Sequence, residues 1–133
     1  MAINHLHLKV RDVARARAFY AGHFGLRDLS LHDDGVLFMR DDRGLDLALA
    51  PAEVVESLPS WFHFGVRADS AAEVERLHQR LAAAGAPMVE GLTREDELLY
   101  FRCADPDGYH IEVYWEPDPV AAPAAGAPPP AAA

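Results

Sequence analysis

From Ile3 to Val10 the chain alternates in its later part: Leu6, Leu8 and Val10 are apolar, with His5, His7 and Lys9 between them. A period of two predicts a strand with one buried face. Asp12 then supplies a helix cap, and Val13, Ala16, Phe19 and Tyr20 recur at helical spacing until Gly22 or Gly25 stops the run. Short strands follow around Asp28–His32, Val36–Arg40 and Leu45–Leu49, separated by the hairpin turn signals DDG (33–35) and DDRG (41–44). After a connector from Pro51 to Pro59 the order repeats. Trp61–Ala68 reads as a strand, and Ser70 with Glu73 forms a capping box for a helix carrying Val74, Leu77, Leu81 and Ala84, stopped by Gly85. Strands near Met88–Leu92, Leu98–Cys103 and Tyr109–Trp115 complete it, the last two joined by DPDG (105–108). The pattern predicts an α+β chain with β-α-β-β-β written twice, in modules of about 1–50 and 60–115.

The repeat extends to single residues. HLHLKVRD (5–12) laid over HFGVRADS (63–70) sets His5 on His63 and the cap Asp12 on the cap Ser70. The final strands, LDLAL (45–49) over IEVYW (111–115), set Asp46 on Glu112. A shifted register would place His7 on His63; the first is preferred because it also aligns the caps. Leu6, Leu8 and Val10, like Phe64 and Val66, must face the helices. Side chains alternate across a strand, so His5, His7 and His63 point to the helix-free face. Asp46 and Glu112 share that face by the same parity.

Imidazoles and carboxylates collected on one concave surface are the inventory of a divalent metal site, with His5, His63 and Glu112 as its candidate ligands. Asp46 is shorter by one methylene; it could ligate directly, hold a metal-bound water, orient a histidine or simply solvate its strand. His7, one pleat from His5, suits a general acid or base, or equally an ordinary half-exposed histidine. Arg102 and Tyr100 share a face of their strand and could meet an anionic substrate, or Arg102 could pair with one of the many acids. His23, His32 and His78 carry no assigned role. Nothing near Cys103 in sequence would activate it as a nucleophile. No phosphate loop, nucleophile elbow or dinucleotide fingerprint is present.

Composition narrows the setting. Of 133 residues about half are apolar, enough for one sizeable core. Twelve Lys and Arg stand against 21 Asp and Glu, a net charge of −9 that disfavours nucleic acid and anionic membranes as partners. A single cysteine suits a reducing compartment. No export signal and no apolar run of membrane-spanning length is visible, so a cytoplasmic protein is expected. Residues 116–133, EPDPVAAPAAGAPPPAAA, are expected to form a disordered Pro- and Ala-rich tail.

Three stretches, NHLHLKVRDVARARAFYAGHFGLR (4–27), HFGVRADSAAEVERLHQRLAAAG (63–85) and FRCADPDGYHIEVYW (101–115), resemble the vicinal oxygen chelate superfamily. That group includes glyoxalase I, extradiol ring-cleaving dioxygenases, fosfomycin-resistance enzymes and bleomycin-binding proteins. The resemblance covers about residues 1–115 and implies two βαβββ modules forming a curved, cupped mixed sheet with helices outside, in a homodimer. It places the family's metal positions on His5, His63 and Glu112, with one divalent ion (Fe, Mn, Zn or Ni) per site. A fourth ligand, a glutamate in glyoxalase-like members, falls on Asp46, which puts that assignment in doubt. In several members the modules pair between subunits, which would bring His5 and Asp46 from one chain to His63 and Glu112 of another. Three activities follow as expectations. The foremost is metal-dependent chemistry on a small oxygenated substrate, leaning to ring-cleaving dioxygenase. A glyoxalase-type isomerase or lyase and a non-catalytic binder of an antibiotic or toxin are the alternatives; retention of all three ligands argues against the last.

Overall fold

The computed structural model describes residues 1–118; the expected tail lies outside the described residues from position 119 onward. The first module comprises β1 (His5–Val10), α1 (Val13–Phe24), β2 (Arg27–Leu31), β3 (Leu37–Arg40) and β4 (Asp46–Pro51). The second comprises β5 (Phe64–Arg67), α2 (Ala71–Ala83), β6 (Met88–Glu95), β7 (Leu98–Ala104) and β8 (His110–Trp115). The α+β class and the doubled β-α-β-β-β order are as the sequence predicts.

Each module builds one four-stranded sheet, ordered β1-β4-β3-β2 in the first and β5-β8-β7-β6 in the second. The first strand pairs with the last in parallel, and the other pairings are antiparallel. Among the described residues each opening strand thus has one hydrogen-bonded neighbour, and β1 and β5 are sheet edges. The described strands form two mixed sheets, one per module.

The caps form where the side chains require them. Asp12 accepts a hydrogen bond from the Arg15 amide at 3.1 Å and Ser70 from the Glu73 amide at 3.1 Å, satisfying donors that a first turn leaves orphaned. Glu73 reaches back one residue further than a capping box requires, to the Asp69 amide at 2.7 Å. Strand β5 is shorter than its apolar run. Trp61 and Phe62 turn away from it, with the Phe62 amide donating to the Pro59 carbonyl at 2.9 Å, so His63 sits just ahead of the strand.

One contiguous core takes residues from both modules: Val10, Ala16, Tyr20, Leu47 and Leu49 from the first, Val74, Leu81, Phe101, Ile111 and Val113 from the second. Ile111, Val113, Phe101 and Val74 are fully buried, each contributing about 1.5–3 kcal/mol on removal from water. The two modules are also tied by polar contacts at the β7–β8 turn. The Tyr109 hydroxyl donates to the Lys9 carbonyl at 2.8 Å, and the Arg11 amide donates to Asp107 Oδ1 at 3.0 Å. Between them lies Asp105, the one buried charged residue among those described. Its Oδ2 accepts from the Tyr20 hydroxyl, and its Oδ1 accepts from the amides of Asp107 and Tyr109, both at 2.9 Å. Gly108 takes φ of 95°, a left-handed conformation open to glycine at little cost, and the turn closes. That closure sets Arg102 opposite Glu112 on the next strand.

Candidate metal centre

Glu112 stands between the fully buried Ile111 and Val113, and alternation turns its carboxylate to the face away from the helices. There it meets His63. Nε2 of His63 lies 3.4 Å from Glu112 Oε2, while Nδ1 lies 3.0 Å from the Trp61 carbonyl oxygen. A carbonyl only accepts, so Nδ1 must carry the ring proton. In a neutral ring Nε2 then turns a lone pair toward the carboxylate oxygen, two acceptors that a cation between them would relieve; in an imidazolium Nε2 donates to that oxygen instead. Two donors bound to one ion at about 2.0–2.2 Å stand roughly 2.8–3.6 Å apart for angles between about 90 and 109°. The His63–Glu112 spacing fits that bite. The Trp61 carbonyl supplies the hydrogen bond that a ligating histidine uses to fix its tautomer and orientation.

Arg102 and Tyr100 share the face expected of them, and both are engaged. Arg102 Nε donates to Glu112 Oε2 at 2.9 Å, and its Nη1 lies 3.4 Å from Glu90 Oε2. The hydrogen bond to Glu112 holds the guanidinium's pKa above its usual value. The Tyr100 hydroxyl donates to Glu90 Oε1 at 2.8 Å, which raises its own pKa, and its ring is nearly buried. Glu90 and the Trp61 carbonyl have no forewarning in the sequence pattern. Arg102 opposite Glu112 could have been read from the DPDG turn, which fixes the hairpin register.

The first sheet is arranged differently. His5 is exposed at the start of β1, and its ladder partner is Asp46. Asp46 is held by Arg40 through two hydrogen bonds, Nε to Oδ1 at 2.6 Å and Nη2 to Oδ2 at 3.0 Å. This bond is the main reason its pKa lies below the usual carboxylate value; the nearby His5 adds to it. His7, also exposed, lies opposite Ala48 on the same face as His5.

This ladder corrects the register of the repeat. Phe64 pairs with Ile111, so one step back sets His63 beside His110, and Gly65 lies opposite Glu112. His5 lies opposite Asp46, so with His5 on His63 the counterpart of Asp46 is His110, and that of Glu112 is Ala48. Superposing the turn Asp41–Gly44 on Asp105–Gly108 gives the same answer. The parity expected for Asp46 holds, but its equivalence to Glu112 does not.

Among the described residues no three His, Cys, Asp or Glu side chains are close enough together to hold one ion. His63 and Glu112 come together within the chain, and His5 stands on the other sheet. Cys103 is buried and its thiol is pushed up to about 11, mainly by burial, in agreement with its lack of any activating neighbour.

A family model described as Glyoxalase/Bleomycin resistance protein/Dioxygenase superfamily matches residues 2–113. The chain belongs to this superfamily. Within it, the chain is 28% identical over 119 residues to biphenyl-2,3-diol 1,2-dioxygenase of Pseudomonas sp. strain KKS102, an alignment covering 86% of this chain and 39% of that protein. The chain therefore spans about two fifths of that curated relative. Among solved structures, a possible glyoxalase from Bacillus cereus aligns with a TM-score of 0.74 at 33% identity, covering 85% of this chain and 97% of that one. Lactoylglutathione lyase from Agrobacterium tumefaciens aligns with a TM-score of 0.68 at 26% identity, covering 86% and 92%. Superfamily relatives thus include dioxygenase and glyoxalase proteins on one fold. No helix among the described residues is long and apolar enough to cross a membrane.

Proposed function

We propose that this superfamily member is a divalent-metal enzyme that takes two neighbouring oxygens of a small molecule, with chemistry of the ring-cleaving dioxygenase type. The observation that carries the proposal is the His63–Glu112 pair: a ring nitrogen and a carboxylate oxygen 3.4 Å apart, with the other ring nitrogen fixed by a backbone carbonyl.

The third ligand in this reading is His5, brought by a second copy of the chain. Its support is that β1 and β5 are both open edges, and that His5 and His7 lie on one of them while His63 adjoins the other. Two histidines and one carboxylate leave coordination positions for substrate oxygens. When bound, a divalent ion would polarise those oxygens and, as Fe(II), support oxygen chemistry. The chain's own residues do the rest. Trp61 holds His63 in the ligating tautomer, Glu112 supplies negative charge, and His7, one pleat from His5, is placed to accept or return a substrate proton. Trp61 and Phe62 are exposed beside His63, an apolar rim suited to an aromatic diol.

The dioxygenase reading is favoured over a four-ligand glyoxalase reading by two features. Ala48 occupies the position equivalent to Glu112, and Arg40 holds both oxygens of Asp46, whereas Arg102 holds one oxygen of Glu112. The 33% identity to the possible glyoxalase keeps an isomerase or lyase as the second reading, with Asp46 freed from Arg40 as fourth ligand.

The test is metal content and oxygen uptake. Protein purified without oxygen is expected to hold one divalent ion per site, and a Glu112→Ala variant to lose it. Equal content in both would remove Glu112 from the site. The iron-loaded protein is expected to consume oxygen with biphenyl-2,3-diol or simple catechols. Inertness toward diols, with turnover of a hemithioacetal on Ni or Zn, would favour the isomerase. A protein with no stoichiometric metal would point to sequestration of a small molecule instead.

A further inference from the structure

Glu90, Arg102 and Glu112 are ladder partners in one row across β6, β7 and β8, and Gly65 ends the row on β5. One cation therefore stands between two carboxylates. The Glu112 oxygen that faces His63 is the same one that Arg102 Nε holds at 2.9 Å, while Arg102 Nη1 already lies 3.4 Å from Glu90 Oε2. We propose that Arg102 is a displaceable internal counter-ion: it holds Glu112 in the metal-free protein and turns toward Glu90 when a divalent cation takes Glu112. Its charge then sets how tightly the site binds metal. This inference rests on the metal reading above.

Electrostatics gives the direction. A dication coordinated by Glu112 comes within a few ångströms of a guanidinium bound to the same oxygen, and like charges at that separation repel. The alternative seat is already built. Tyr100 holds Glu90 by its Oε1 and leaves Oε2 toward Arg102. The register shifts on either side of Glu90, and such bulges re-aim a side chain. The Tyr100 ring, its centroid 5.8 Å from the guanidinium carbon, offers an aromatic face beside the cation. Arginine suits the task because its planar fork can bond two carboxylates from one position, which a lysine cannot do as well. Arg102 is a positioning residue in this account, acting on the ligand Glu112 rather than on substrate.

The test is the dissociation constant of the full chain for Mn(II) and Zn(II), measured by competition with a chromophoric chelator, without turnover. Arg102→Met is expected to bind about ten- to a hundredfold more tightly than the unaltered protein, the range over which groups around a ligand tune affinity. Glu90→Gln, which removes the alternative seat, is expected to bind more weakly. The double variant is expected to match Arg102→Met, since Glu90 acts through the arginine. Should Arg102→Met fold poorly, Arg102→Lys keeps the charge without the fork and is expected to bind more weakly than Arg102→Gln. Weaker binding by Arg102→Met, with Glu90→Gln unchanged, would overturn the inference: Arg102 would only orient Glu112. Absence of ion binding by the unaltered protein would overturn the metal reading itself, and this inference with it.

Discussion

The Tyr20 hydroxyl donates to Asp105 Oδ2 across 2.6 Å, linking a helix of the first module to the turn of the second that carries Glu112 into place. Tyr20 is 3% exposed and Asp105 likewise, so water cannot replace either partner. Burial is the largest influence on both groups and raises both pKa values. Tyr20→Phe leaves the buried carboxylate short of a donor, and should cost about 1–3 kcal/mol of unfolding free energy. Urea denaturation checks this; an unchanged midpoint would mean the contact contributes nothing net.

The same pair predicts a pH dependence. Asp105 titrates above its ordinary 3.8 in the folded state, because burial outweighs its hydrogen bonds. The folded chain therefore keeps this proton at pH values where the unfolded chain has released it. The stabilisation from this group is full below 3.8 and is lost as pH rises through the folded value. Asp105→Asn keeps the acceptor of the turn amides and removes the titration. Its urea midpoint, relative to the unaltered protein, is expected to improve as pH rises through that window. A constant difference across the window would contradict the raised value.

For His63 and Asp46 the expected outcomes are opposite. His63→Ala should abolish metal retention, since it removes the nitrogen facing Glu112. Asp46→Asn should leave metal content unchanged, because its carboxylate is bonded to Arg40. Elemental analysis after gel filtration decides both; loss of metal in Asp46→Asn would restore the four-ligand reading.

Cys103, the chain's single cysteine, is fully buried and its thiol is pushed up to about 11. At pH 8 the native protein should react with a disulfide reagent many times more slowly than the urea-unfolded chain, because only the exposed thiolate attacks. Comparable rates would show that β7 opens readily.

The elements were legible before the fold because their signals are local. Alternation in the later part of Ile3–Val10, the caps Asp12 and Ser70 and the three Asp-to-Gly turns each act within a few residues. Face assignment was legible too, since Glu112 between Ile111 and Val113 can turn only one way once those two are buried. Trp61 reads as strand but turns away, because its apolar character reports exposure beside His63 and not a ladder position.

What the sequence determined by itself is the doubled β-α-β-β-β order and the face on which His5, His63, Asp46 and Glu112 lie. What only the tertiary structure decided is which of them meet. A strand's side chains repeat every two residues, so a slip of two leaves every face assignment intact while changing every partner. That slip moved the counterpart of Glu112 from Asp46 to Ala48. Arg102 opposite Glu112 and Arg40 opposite Asp46 lie across turns that the sequence marks, but the meeting of His63 with Glu112 depends on β5 pairing with β8, a contact between distant parts of the chain that leaves no local pattern to read.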